Sequence, residues 1–339
     1  MRVRAPGRVN LIGEHTDYND GLCLPFAIEA GITVTAERLE QPRVEAEAAD
    51  LGERDAFSLD DIGRADGWRA FVRGVAGELQ AAGHALSGAR LRIEADLPQG
   101  SGLSSSAALE AGVALALLAL AGELEPDRIA LAKLCSRVEN EWVGAQTGLL
   151  DQLAVLLAEP GAATRLDMRT LQATPVPLEL GDWRLVVLDS GAEHSNASGG
   201  YNQRRAECTA AAEALGVASL RDATVEGAAR LPDPLDRRVR HVLTENARVE
   251  ATIAALRAGD LEAVGEHLDA SHVSLRDDYD ASVAEVEATV TRLHAAGAAG
   301  ARMVGGGFGG SVLALFPPGA EPPPEAVVVR PGPPARIVT

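Results

Sequence analysis

The chain has 339 residues, 46% of them hydrophobic and 24% charged, with a mean hydropathy of +0.01. It can bury a sizeable core, and disorder as its main theme is excluded. A formal net charge of −18 repels nucleic acid and anionic membrane surfaces, so any phosphate ligand must be held by local devices.

Lys133 is the only lysine, which removes both the Walker A loop and the strand lysine of protein kinases. The three cysteines, Cys23, Cys135 and Cys208, are too few and too far apart for a disulfide framework or a zinc cluster and fit a reducing compartment. The apolar run over 111–122 is too short to cross a bilayer, and no secretory signal pattern opens the chain. A cytoplasmic location is expected.

The first informative segment runs from Arg4 to Gly21 and places Arg8, Glu14, His15 and Asp17 between Gly and Pro bends. Such a cluster of donors and acceptors suits the fixed hydroxyls of a sugar, because a wrong substrate leaves polar groups unpaired. A solvated turn with one surface ion pair fits the same residues. Strands are predicted over 32–36, 43–46 and 89–95, the last alternating apolar and polar residues.

Leu97-Pro-Gln-Gly-Ser-Gly-Leu-Ser-Ser-Ser-Ala-Ala108 follows that strand and opens an Ala- and Leu-rich helix predicted over 104–120. Glycine lets backbone N–H groups approach a phosphate, and the helix N-terminus and serine hydroxyls complete an anion site without a lysine. A Gly-Ser turn with Ser104 as N-cap is the plainer alternative. A second helix is predicted over 126–142. Beyond it Asp151 stands among Leu149, Leu150, Leu153 and Ala154, where a carboxylate needs a partner or serves as a helix N-cap. Glu139, taken alone, reads as a surface residue on a charged helix.

Turn residues at 159–161 mark the best boundary. A buried strand is predicted over 183–189, helices over 235–256, 261–273 and 281–296, and strands over 301–304, 311–316 and 326–330. Gly305, Gly307 and Gly310 form a G-x-G-x-x-G, but a strand follows rather than a helix, so this is no dinucleotide fingerprint. It reads as a glycine-rich hairpin or as backbone that approaches a ligand closely. Strands and helices interleave without a regular βαβ order, which favours an α+β class.

Together and in this order, these segments resemble the GHMP family of small-molecule kinases. Gly7-Arg-Val-Asn-Leu-Ile-Gly-Glu-His-Thr-Asp-Tyr-Asn-Asp-Gly21 is similar to the galactokinase signature, and Gly148-Leu-Leu-Asp-Gln152 to its Gly-Ile-Met-Asp-Gln stretch. The segment from His194 through Tyr201 to Arg205, and Glu245-Asn-Ala-Arg-Val249, also look like galactokinase stretches. The resemblance implies a two-lobed α+β fold. Residues 1–160 would form a lobe like ribosomal protein S5 domain 2, and 161–339 a ferredoxin-like lobe, with the site in the cleft between them.

It further implies ATP-dependent phosphorylation of D-galactose at the anomeric C1 hydroxyl, with MgATP and the sugar as small-molecule partners. No nucleic acid, membrane or obligate protein partner is implied. Asp151 would be the catalytic base, with Arg8 stabilising the reacting groups. Glu14, His15, Asp17, Gly148 and Tyr201 would contact the sugar. Gly100, Ser101, Gly102, Leu103, Ser104, Ser105 and Ser106 would wrap the ATP phosphates, and Ser106 and Glu139 would hold Mg²⁺.

Two alternatives stand beside this reading. One is a kinase for N-acetylgalactosamine, galacturonate or arabinose. The other is a non-catalytic sugar- and ATP-binding regulator, a class that resembles the enzyme but lacks the Ser-Ala pair present here as Ser106-Ala107. The signature lies close to Met1, so the leading segment usual in the family is expected to be missing. Thr147 stands where the family frequently has Cys, and Asp189 and Asn196 where it more often has Asn and Leu.

Overall fold

A computed structural model of the chain describes residues 1–97, 102–145, 147–192 and 197–338, without the side chains of 197 and 198. Its first part contains β1 (Arg2–Asn10), β2 (Leu22–Cys23), β3 (Pro25–Leu39), β4 (Arg43–Ala48) and β5 (Glu53–Ser58). Helix α1 (Trp68–Ala81), β6 (Gly88–Ala95), α2 (Ser105–Leu120), α3 (Arg128–Arg137) and α4 (Leu150–Leu157) follow. The second part begins with β7 (Ala162–Asp167), β8 (Gln172–Pro177) and β9 (Arg184–Asp189). It continues through α5 (Ala197–Leu215), α6 (Val225–Ala228), α7 (Leu235–Ala258), α8 (Leu261–Asp277) and α9 (Ala284–Ala295) to β10 (Gly300–Met303), β11 (Ser311–Phe316), β12 (Val327–Val329) and β13 (Arg336–Ile337).

A six-stranded sheet has the order β13-β1-β3-β6-β4-β5, a four-stranded sheet the order β10-β11-β9-β12, and β2-β7-β8 form a third. Every pairing is antiparallel except β4 with β6. Helix α2 lies at the centre of the first part, against β1, β3, α1, α3 and α4. Its residues from Ala107 to Ala119 are all buried and, apart from Glu110, apolar or glycine, as a helix surrounded by protein requires. The predicted α+β class and the strands and helices read from periodicity are present.

The segment expected to be turns at 4–10 is instead an inner strand. Pro6 and Gly7 disguise it. The register slips between Pro6 and Arg8, a bulge that accommodates a residue with no N–H to give the ladder. Helices α1 and α5 were also not legible as such. The division expected at 160 leaves five of the six strands of the larger sheet before it and all four of the smaller sheet after it, and we propose it in that sense. Pairing crosses it, since β7 pairs with β2, an isolated bridge joins Ile28 to Pro331, and the final strand β13 covers the edge of β1, which removes an open ladder edge.

Helix α7 fastens the loop between β1 and β2 from the other part of the chain. The Gly13 N–H donates to Glu245 Oε1 at 3.0 Å and the Leu22 N–H to Asn246 Oδ1 at 2.8 Å. His241 Nε2 meets the Glu14 carbonyl at 3.0 Å. Glu245 is fully buried, and Ser271 Oγ and Arg248 Nε donate to it at 2.7 Å each. Burial alone would raise its pKa, but Arg248, His241 and Arg302 outweigh burial and bring it down to about 2.

A carboxylate whose folded pKa lies below its unfolded value stabilises the fold above the unfolded value and loses that contribution as the pH falls. Glu245→Gln should therefore lower stability at pH 7 by about 3 kcal/mol, read as a shifted urea midpoint. The gap from the unsubstituted protein should narrow as the pH drops below 4.5, the ordinary value for this group. A gap that widens toward acid contradicts the assignment.

Candidate active site

Between the two main sheets lies a cavity of about 470 Å³. Arg8, Glu14, His15 and Asp17 line one wall, Gly102 to Ser106 a second, Thr147, Gly148 and Asp151 a third, and Tyr201 with the glycines of 305–310 close it. Five segments far apart in sequence thus meet. Gly100 and Ser101 lie outside the described residues.

Strand β1 aims Arg8 at the first turn of α4. Arg8 Nε and Nη2 donate to Asp151 Oδ1 and Oδ2, both at 2.6 Å, and Nη1 donates to the Gly102 carbonyl at 2.7 Å. This is the two-pronged guanidinium–carboxylate geometry, stronger and more directional than a single contact. The Ser104 hydroxyl also donates to Asp151 Oδ2. Ser104 does not cap α2 with its side chain, because its backbone is left-handed (φ 57°) and its hydroxyl is engaged with Asp151. Asp151 likewise sits inside the first turn of α4 rather than capping it.

Gly148 is explained by contact. A Cβ placed there would stand 1.7 Å from Asp17 Oδ2, so no other residue lets this wall approach Asp17. Gly306 works the same way on the opposite side, where a Cβ would press on the Tyr201 ring at 3.0 Å.

Acidic groups crowd this space. Asp17 is pushed up to about 7, first by burial and then by the negative charges of Asp151 and Glu14. Glu139 does not line the cavity. It is buried, accepts hydrogen bonds from the Thr147 and Ser106 hydroxyls, and is raised by burial and by Asp151. The surface reading of Glu139 as an isolated residue is thereby corrected. Its carbonyl stretch lies in a π-helical turn, Val138–Val143, a distortion frequent at functional positions. Glu110 beneath it is fully buried and raised well above the usual carboxylate range, by burial and then by Glu139. His15 is pushed down to about 3, mainly by burial and also by His241, so its ring is neutral.

Arg302 was missed in the sequence. It is wholly buried, lies 2.7 Å from Glu14 Oε1 through Nη2, and donates from Nη1 to the Leu11 carbonyl at 2.8 Å. The Gly305 N–H donates to the same Glu14 oxygen at 2.8 Å. Its signal was a lone charge in the apolar run directly before the glycines, the same kind of signal that singled out Asp151. Lys133 is exposed on α3, and Arg8 is the only Arg or Lys among the described residues lining the cavity.

Three family models match the chain. The galactokinase galactose-binding signature covers residues 1–38, the GHMP kinase N-terminal domain 70–159 and the GHMP kinase C-terminal domain 252–326. A galactokinase of Roseiflexus is 44% identical over 326 residues, 92% of this chain and 82% of the relative. One from Mycobacterium tuberculosis is 45% identical over 322 residues, 92% and 88% of the two chains. The crystal structure of Lactococcus lactis galactokinase complexed with galactose superposes with a TM-score of 0.90 at 34% identity, covering 98% of this chain and 94% of that one. Methanococcus jannaschii mevalonate kinase shares the fold, with a TM-score of 0.70 at 16% identity over 94% and 92% of the chains.

The Asp17 shift makes a stability prediction of definite sign. Its carboxyl takes up a proton near pH 7 when folded and near the ordinary 3.8 when unfolded, so unfolding releases a proton between these values and stability falls as the pH rises through them. Asp17→Asn removes the charge at constant shape. In thermal melts of the sugar-free protein the variant should melt above the unsubstituted chain at pH 8 and converge with it near pH 4. A variant melting lower at pH 8 contradicts the assignment.

Proposed function

The chain belongs to the galactokinases of the GHMP kinase family, and from that premise we propose that it transfers the γ-phosphoryl group of ATP to the C1 hydroxyl of D-galactose, giving α-D-galactose 1-phosphate and ADP. The observation that carries this reading is the Arg8–Asp151 fork, set in one cavity with Glu14, His15 and Asp17 on one side and the N-terminus of α2 on the other. Phosphoryl transfer requires alignment and charge stabilisation more than covalent chemistry, and these are the groups that supply both.

Glu14, His15, Asp17, Gly148 and Tyr201 hold the sugar. One oxygen of Glu14 accepts from the Gly305 N–H and is ion-paired with Arg302, which leaves the other for a sugar hydroxyl. Asp151 accepts the proton of the C1 hydroxyl as that oxygen bonds to the γ-phosphorus and the bond to the β-γ bridging oxygen breaks. Arg8 holds the Asp151 carboxylate in place and brings positive charge to the reacting groups. The loop from Gly102 to Ser106 presents the unpaired N–H groups of the α2 N-terminus to the ATP phosphates.

The donors near Ser106 fit a magnesium ion. The Ser106 hydroxyl meets the Glu139 carboxylate, both are hard oxygen donors, and the charge crowding that raises Glu139 is relieved by a cation. Mg²⁺ takes one or two protein ligands when phosphate oxygens supply the rest. Bound there with ATP, it would neutralise charge on the β- and γ-phosphates. The reading calls for no protein partner. We place the enzyme in the cytoplasm, in keeping with Cys23, Cys135 and Cys208 as buried free thiols; no described helix is long and apolar enough to cross a membrane.

ATP consumption across galactose, glucose, N-acetylgalactosamine, galacturonate and arabinose tests the substrate. Galactose should give the highest kcat/KM. Glucose should trail it by roughly tenfold or more, because its C4 hydroxyl leaves a buried polar group unpaired at about 1–3 kcal/mol. A faster competitor overturns the choice of galactose and keeps the kinase class. For the mechanism, Asp151→Asn should bind ATP and melt as a folded protein while kcat drops at least about a hundredfold. Turnover above a tenth of the original rate removes Asp151 as the base.

A further inference from the structure

Behind His15 runs a row of buried polar side chains for which phosphoryl transfer has no direct use. Asn19 Nδ2 donates to the His15 carbonyl at 2.9 Å and reaches Cys208 Sγ at 3.6 Å. Cys208 Sγ is 3.0 Å from Tyr279 Oη, which is 2.9 Å from Tyr18 Oη, which is 2.8 Å from His15 Nδ1. Asn19, Cys208 and Tyr279 are buried. The second ring nitrogen of His15, Nε2, is also buried and has no hydrogen-bond partner, while His15 itself lines the sugar cavity.

A thiol or hydroxyl can pass a hydrogen bond in either direction, so the two ends of the row decide its sense. A carbonyl only accepts. The amide nitrogen of Asn19 must therefore face the His15 carbonyl, and its remaining N–H is an obligate donor to Cys208 Sγ. At the far end the surroundings of the ring favour acceptors. The side chains sharing the cavity wall with the ring are the carboxylates Glu14 and Asp17.

A donor at one end and acceptors at the other polarise the row. Cys208 S–H points to Tyr279, Tyr279 O–H to Tyr18, and Tyr18 O–H to Nδ1. Nδ1 then carries no proton, and the proton of the neutral ring resides on Nε2. A sugar hydroxyl that gives its single hydrogen to Glu14 or Asp17 still has lone pairs to satisfy, and a carboxylate cannot satisfy them.

We propose that Tyr18, Tyr279 and Cys208 are positioning residues that hold His15 as its Nε2–H tautomer, making it a fixed hydrogen-bond donor to a sugar oxygen. The sugar's identity rests on the galactose reading above; the tautomer does not.

The test uses the full chain labelled with ¹⁵N-histidine and free of sugar. Two- and three-bond ¹H–¹⁵N correlations separate the two tautomers, and the His15 signals among the seven histidines are assigned by their loss in His15→Gln. The His15 pattern should be that of Nε2–H. In Tyr18→Phe it should move toward Nδ1–H, with the galactose Kd rising roughly five- to tenfold, the size of one lost hydrogen bond, and the Kd for a non-hydrolysable ATP analogue unchanged. Cys208→Ala should shift the pattern in the same direction and Cys208→Ser should restore it.

An Nδ1–H pattern for His15 in the unsubstituted protein overturns the proposal even if no Tyr18 or Cys208 variant folds. So does a His15 pattern that stays fixed in a folded Tyr18→Phe. If the Nε2–H pattern is found but galactose does not bind, the tautomer assignment is supported and the galactose reading fails.

Discussion

The bidentate contact between Arg8 and Asp151 is the point on which the site is assembled. It joins an inner strand of the first sheet to the first turn of α4. Through Arg8 Nη1 on the Gly102 carbonyl and the Arg8 N–H on the Leu103 carbonyl at 3.1 Å, it also joins both to the loop before α2. Strand β1, the loop before α2 and the first turn of α4 are thereby held in one rigid triangle. A lysine at position 8 would make one point contact and leave the rest of the triangle loose.

Around this pair the chain gathers more negative charge than it neutralises. Glu14, Asp17, Asp151, Glu139 and Glu110 lie close together, and the upward shifts of Asp17, Glu139 and Glu110 all trace first to burial and then to neighbouring carboxylates, with Asp151 among the causes in each. Arg8 and Arg302 offset part of it. The remainder is a standing destabilisation of the free protein, the kind of local conflict that persists where substrate and metal relieve it. It also gives the proposed sugar and MgATP a physical reason to stabilise the fold on binding.

The second part of the chain holds the first in its working shape. Helix α7 grips the signature loop through Glu245, Asn246 and His241, while Arg302 and Gly305 fix one oxygen of Glu14 from the strand and loop that follow α9. The glycine run that imitates a dinucleotide fingerprint is a cavity wall, and its small residues make room for Tyr201. Residues that touch the sugar in the proposed reaction thus depend on elements that do not.

What the sequence by itself determined is the local chemistry. Arg8, Glu14, His15 and Asp17 stand within one short segment, the Gly- and Ser-rich stretch runs directly into an Ala- and Leu-rich helix, and Asp151 is conspicuous because an acid among leucines demands a partner. Helices α2, α7 and α8 were legible because their apolar periodicity is a property of neighbouring residues. The strand at Arg2–Asn10 was not, since Pro6 and Gly7 carry turn signals that only the bulge and the close approach of Leu103 account for. The tertiary structure alone decided the pairings: Arg8 with Asp151 across 143 positions, Gly305 with Glu14 across 291, and Tyr18 with Tyr279 across 261. A sequence states which groups are able to donate and accept. Which of them meet, and in which direction a shared proton points, depends on long-range packing that brings distant segments within 3 Å of one another, and no local pattern encodes that.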